Sequence, residues 1–223
     1  MAYKRFKQFL RFVCPTLDNE DVIYWCKNEL LLTLMKLRSG AKNLDLAERF
    51  NISNSTVSNK IITWINLLYV ALGTLNIWPH RDIIIQKSPK EFQEKCKDTV
   101  IIIDATELTV QVPSSIQKQS ELGLHGKPSE CYSNYKHHTT LKSLIGVDPM
   151  GGVMFVSQLF EGSISDKEIV KRSGFLTVLN MKLECGEILP GDGIMADRGF
   201  NIGEDLQELA LKINVPPFLR ENG

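Results

Sequence analysis

Two short apolar runs, each ending in an aspartate, constrain this chain most. Val100-Ile101-Ile102-Ile103 is closed by Asp104, and Gly193-Ile194-Met195-Ala196 is closed by Asp197. An apolar run rich in β-branched residues and ending in a carboxylate reads as a buried strand that delivers an acid to the rim of a sheet. Two such strands side by side make half of a divalent-metal site. Hard cations such as Mg²⁺ or Mn²⁺ take carboxylate oxygens and retain waters, which is the chemistry of a phosphoryl-transfer centre. The two acids are 93 residues apart, so only the fold can join them. The plainer alternative is that each aspartate caps a strand or begins a turn, a common place for Asp.

With 223 residues the chain can form one large domain, or a small domain and a medium one. No apolar stretch reaches the roughly 18 residues that span a bilayer, so no membrane is expected. Charges interrupt the opening MAYKRFKQFL, which argues against a secretory signal. The five cysteines are odd in number, scattered and without a C-x-x-C pair, which suits reduced thiols in an intracellular protein. The spacing of His125, Cys131, His137 and His138 matches no tetrahedral zinc pattern. Net charge is zero, but residues 1–97 hold 15 Lys and Arg against 9 Asp and Glu, whereas residues 98–223 hold 11 against 17. A basic first half suits phosphates and an acidic second half suits cations; a chance distribution of solvated charge is the rival.

Residues 20–39 have helical spacing and stop at Ser39-Gly40. A short helix over Leu44–Phe50, a turn at Asn51-Ile52-Ser53 and a longer helix from Asn54 to about Leu72 follow, with Val57, Ile61, Trp64, Ile65 and Leu68 inward. Ser53 suits an N-cap and Asn51 tolerates the left-handed backbone of the turn. This spacing resembles a helix-turn-helix, whose second helix enters the DNA major groove. Asn54, Ser55, Thr56, Ser58, Asn59 and Lys60 then face outward as candidate DNA contacts. The alternative is a helical packing unit with a wet polar face.

Residues 81–97 read as a linker with one short helix near Pro89-Lys90-Glu91-Phe92, which divides a helical region, 1–80, from a second domain, 98–223. Strands are predicted over Thr99–Val112, Thr139–Val147 and Gly152–Phe160, with a hairpin turn at Asp148–Gly151. A helix opens at Ser165, a fourth strand covers Ile194–Ala196 and a last helix covers Glu204–Ile213. The order is mixed α/β.

Four blocks in this order resemble the DDE superfamily endonucleases, specifically the PIF/Harbinger transposases and the nucleases derived from them. They are Ile103-Asp104-Ala105-Thr106-Glu107, Tyr132 to Lys142, Gly162 to Lys167, and Gly191 to Phe200, closed by Pro216-Pro217-Phe218. The resemblance implies an incomplete RNase H-like nuclease domain behind the helix-turn-helix. It also implies catalytic, metal-holding roles for Asp104 and Asp197, with Asp166 a further metal candidate whose plainer role is to complement the dipole of the helix it opens. Mg²⁺ or Mn²⁺ would be the cofactor of a two-metal cleavage of DNA phosphodiesters. Lys136 and Lys142 are candidate backbone contacts, or ordinary exposed strand lysines. In such proteins a later helix brings a third acid, a Glu. The expectation is that this chain is truncated before it and impaired, or else is a non-catalytic relic acting as a DNA-binding or protein-interaction scaffold. DNA, a separate DNA-binding partner protein and a nuclear location follow from the same resemblance. An added loop, Leu122–Cys131, departs from the family pattern.

Overall fold

A computed structural model describes residues 2–14, 20–110, 132–133 and 138–215. It divides the chain into two compact units, Met1–Asn76 and Ile77–Gly223.

The first unit is helical: α1 (Ala2–Val13), α2 (Glu20–Ser39), α3 (Asn43–Phe50) and α4 (Asn54–Gly73). The turn between α3 and α4 is built as its residues predict. Asn51 takes the left-handed backbone, with φ 51°, and Ser53 Oγ accepts the Thr56 amide at 3.1 Å as the N-cap of α4. Leu32, Leu46, Ala47, Val57 and Ile61 pack at this corner, and Leu10, Val13, Leu30, Trp64 and Leu68 form a second cluster. Ile65, expected inward, is 40% exposed: it adjoins Trp64 in a helix with one buried stripe. The helix α1 was not anticipated, because its charges conceal a narrow apolar face ending in Leu10 and Val13.

In the second unit the segment expected as a linker forms α5 (Arg81–Lys87) and α6 (Lys90–Lys95). It is held to its own unit by buried Ile84 and by a bidentate pair from Arg81 to Asp192, both contacts 2.7 Å. The sheet follows: β1 (Thr99–Thr109), β2 (Tyr132–Ser133), β3 (His138–Val147), β4 (Val153–Val156) and β5 (Phe160–Glu161). After α7 (Asp166–Arg172) and α8 (Phe175–Glu184) come β6 (Gly193–Ala196), α9 (Gly203–Glu208) and β7 (Lys212–Asn214). The strand order is β2-β3-β1-β6-β7, with β4 and β5 also on β3. β1 and β3 are antiparallel, whereas β1, β6 and β7 run parallel. This mixed sheet behind a helix-turn-helix is the architecture expected.

The β3–β4 turn closes where predicted, with Asp148 Oδ1 accepting the amides of Met150 and Gly152 at 2.8 Å and Gly151 at φ +85°, a conformation open to glycine. Two of the predicted elements are bounded differently. The strand predicted over Gly152–Phe160 splits into β4 and β5 around Ser157, whose hydroxyl accepts the Leu144 amide at 2.9 Å. The last helix stops at Glu208, because Ala210 turns to φ +55° and the chain leaves as β7 beside β6. Leu206, Leu209 and Ile213 mimic a helical period, but Ile213 pairs with Ile194 as a strand residue.

Alternate residues of β1 divide the two faces of the sheet. Ile101 and Ile103 join Leu144, Ile194, Ile169, Val170, Phe175 and Leu179 in the main core, beneath α7 and α8. The opposite face carries Ile102, Met195 and Asp104.

Candidate active site and nucleic-acid interface

Register brings the two motifs to neighbouring strands. Ile102 pairs with Met195 and Ile103 with Ala196 across β1 and β6, and Asp104 and Asp197 are the residues that follow this last pair. Partners on adjacent parallel strands share a face and lie on strands about 4.8 Å apart. Both aspartates are exposed, and both fold back in the same way. Asp104 Oδ1 accepts the Ala105 amide at 2.8 Å and Asp197 Oδ1 accepts the Arg198 amide at 2.7 Å. The second oxygen of each has no partner among the described residues. The local causes differ: Asp197 follows the last residue of β6, whereas Asp104, expected at a strand end, lies mid-strand in β1, paired with Ile145 of β3, on the face opposite the main core, where an unpaired carboxylate can stay hydrated.

Two outward carboxylates on one face are a hard-oxygen donor set that fits a divalent cation keeping several waters. Among the described residues no group of three His, Cys, Asp or Glu converges on one such position. Asp166 is already engaged with a lysine. It begins α7, where Ser165 is the N-cap, and its Oδ1 lies 3.5 Å from Lys142 Nζ. Glu107 lies on the core-side face of β1, as its three-residue offset from Asp104 requires. It accepts the Thr140 hydroxyl at 3.1 Å and stands 3.9 Å from Lys142 Nζ.

Lys142 therefore points into the protein. Its ammonium donates to the Ile164 carbonyl at 3.0 Å and its side chain is 12% exposed, so it is not poised for a DNA backbone. Asp192, read as a turn residue, is 3% exposed and carries the Arg81 pair; that hydrogen bonding raises the Arg81 pKa. Lys136 and the Leu122–Cys131 loop lie outside the described residues, as do Pro216-Pro217-Phe218.

On the first unit the polar start of α4 is divided in its availability. Asn54, Ser55 and Asn59 are exposed, while Thr56, Ser58 and Lys60 are half-buried. Ser53 Oγ lies 2.9 Å from Ser55 Oγ and 2.7 Å from Thr56 Oγ1, so the hydroxyls of the cap already share hydrogen bonds. The Lys60 ammonium is paired with Glu29 of α2, and the same carboxylate accepts Trp64 Nε1–H at 2.9 Å. Glu29 was not singled out in the sequence; an acid amid the apolar residues of α2 is the signal that could have marked it. Nearby, burial raises the pKa of the Cys26 thiol, and Glu29 raises it further against the opposing effect of Lys60. Burial raises the Cys14 thiol too, with Cys26 adding to the effect.

The family model described as DDE superfamily endonuclease matches residues 103–217, just over half the chain and spanning both aspartates. This protein belongs to that superfamily. A second model, the helix-turn-helix of DDE superfamily endonuclease, matches residues 26–74 of the same superfamily member, the segment built by α2, α3 and α4. No curated protein matched it. Among solved structures it is similar to the Mos1 transposase paired-end complex with left transposon end, at 12% identity and a TM-score of 0.30. That match covers 83% of this chain and 57% of the other, and so weak a likeness adds nothing to the family assignment.

Proposed function

We propose that this DDE superfamily member is a transposase-derived nuclease of the PIF/Harbinger type. In this reading Asp104 and Asp197 hold a divalent cation, Mg²⁺ or Mn²⁺, and α4 contributes to DNA binding. The observation that supports the reading is the β1–β6 pairing that ends at Ile103 and Ala196, the residues immediately before Asp104 and Asp197. A divalent ion held there supplies positive charge that activates water and stabilises a departing phosphate oxygen. The protein's own part is positional: the β1–β6 register sets the separation of the carboxylates, and the main core beneath α7 and α8 keeps that register rigid. A helix-turn-helix of this superfamily implies DNA as partner, and Asn54, Ser55 and Asn59 are the side chains exposed for it. The same role argues for a nuclear location and leaves room for a separate DNA-binding partner protein.

The test is nicking of supercoiled plasmid in Mn²⁺, with binding to the same DNA measured in parallel. Metal-dependent nicking that disappears in both Asp104→Ala and Asp197→Ala supports the nuclease. Nicking that survives both substitutions overturns the site. Intact DNA binding with no nicking under any divalent ion supports the alternative, a DNA-binding scaffold that has kept the fold without turnover.

A further inference from the structure

The buried side chains behind the aspartate pair form a connected strut. Glu107 and Lys142 are register partners on β1 and β3, each 12% exposed, and Glu107 lies three residues beyond Asp104 on the same strand. Lys142 Nζ reaches the Ile164 carbonyl at 3.0 Å and Asp166 Oδ1 at 3.5 Å, so it holds the chain entering α7. The other oxygen of Asp166 faces Gly199: a Cβ built on Gly199 would stand 2.8 Å from Asp166 Oδ2, closer than side-chain carbons approach. Gly199 is two residues after Asp197, in the turn that the Phe200 amide closes onto the Asp197 carbonyl at 3.0 Å. Phe200 and Ile202 then anchor the turn in the main core.

We propose that Lys142 is a positioning residue: by clamping Asp166 between β3 and Gly199, it holds the turn that carries Asp197 in place opposite Asp104. The inference rests on reading those two aspartates as a cation site, and it assigns to Lys142 a task other than contact with DNA. Four physical features support it. The ammonium is largely removed from water, so its partners are fixed by the fold and not by chance encounter. It donates to the Ile164 carbonyl and to Asp166 Oδ1 and forms a longer ion pair, 3.9 Å, with Glu107, so its charge is already engaged within the fold. Gly199 lets the carboxylate approach the turn closely, and any other residue there must displace Asp166. Finally, Glu107 and Lys142 lie on the face of β1 and β3 opposite the one that presents Asp104, so they do not compete with it for the cation.

The experiment follows the backbone amides of Arg198, Gly199 and Phe200 by NMR in the metal-free protein, and Mn²⁺ affinity by calorimetry. Both are compared between wild type, Lys142→Met, Asp166→Asn, Gly199→Ala and a control, Lys171→Met, whose lysine lies on α7 with Asp166 but pairs with Asp205 of α9. The strut predicts that the three test variants shift or broaden those amides and weaken Mn²⁺ binding by about 10- to 100-fold, as loss of an orienting partner does. Lys142→Arg should restore part of the affinity, and the control should change neither readout. Asp166→Asn keeps the side-chain shape and guards against a Lys142→Met protein that fails to fold. Amides that stay in place in Asp166→Asn and Gly199→Ala overturn the proposal, as does a moved turn with unchanged Mn²⁺ affinity. A wild-type protein that binds no Mn²⁺ sinks the cation site itself, whereas moved amides would still establish the clamp on the turn.

Discussion

The helical unit and the sheet unit treat their charged motif residues in opposite ways. In the helical unit Lys60, placed by sequence on the DNA-facing side of α4, turns back to Glu29, and Trp64 donates to the same carboxylate, so the ions join α2 to α4. In the sheet unit Asp104 and Asp197 are exposed, and among the described residues each accepts only the amide of the next residue. A lysine in mid-helix has a long flexible stem and a neighbouring helix within reach, and the fold captures it. Asp104, mid-strand on the face opposite the core, and Asp197, just past β6, have short side chains that reach no other element among the described residues. Availability for chemistry thus follows from side-chain length and from the face an element presents as much as from residue type.

Substitutions break this contrast in order of expected size. Asp192→Ala should be the most damaging, about 3–5 kcal/mol by denaturant unfolding, because it strands a half-buried Arg81 and removes the acceptor of the Leu189 amide. Glu29→Ala should cost about 2–3 kcal/mol, since it leaves both the Lys60 ammonium and the Trp64 indole N–H without their partner. Asp104→Ala and Asp197→Ala, by contrast, should change stability by no more than about 0.5 kcal/mol. A large loss of stability in either would show that these acids serve the fold and would erase the difference between the units.

Much of the first unit was legible in the residues. Asn51 and Ser53 each carry a local conformational requirement, and the structure meets both. The strands that deliver Asp104 and Asp197 were legible as apolar runs, but their adjacency was not. Composition and spacing cannot specify which strands pair across 93 residues, and only the family resemblance suggested it. The side chains of Lys60 and Lys142 were read as outward because periodicity gives the direction of a Cβ, not the end point of a long side chain. The strand β7 was hidden because Leu206, Leu209 and Ile213 have helical spacing until Ala210 breaks it. Gly199 could have been noticed only once Asp166 was known to lie against it.

Two smaller effects sharpen the contrast. If Lys60 serves the fold first, Lys60→Ala should lower DNA affinity no more than Asn59→Ala does, as measured by fluorescence anisotropy at fixed salt. A Lys60→Ala loss of more than about tenfold against an intact Asn59→Ala protein would return that lysine to the interface. The smallest effect concerns pH. Cys14 and Cys26 have pKa values raised above the ordinary 9.0, chiefly by burial, so the folded helical unit favours their neutral thiols. Their contribution is complete below pH 9 and is lost as pH rises through the raised values. Unfolding curves should therefore show declining stability above pH 9, and Cys14→Ala with Cys26→Ala should flatten that decline.

The central claim, that remote strands present Asp104 and Asp197 as one cation site, is tested most directly by Mn²⁺ titration monitored by electron paramagnetic resonance. The wild-type protein should bind Mn²⁺, and Asp104→Ala and Asp197→Ala should each weaken binding at least tenfold, about the least that loss of a direct ligand costs. Equal Mn²⁺ binding by the wild type and the double variant would contradict the account.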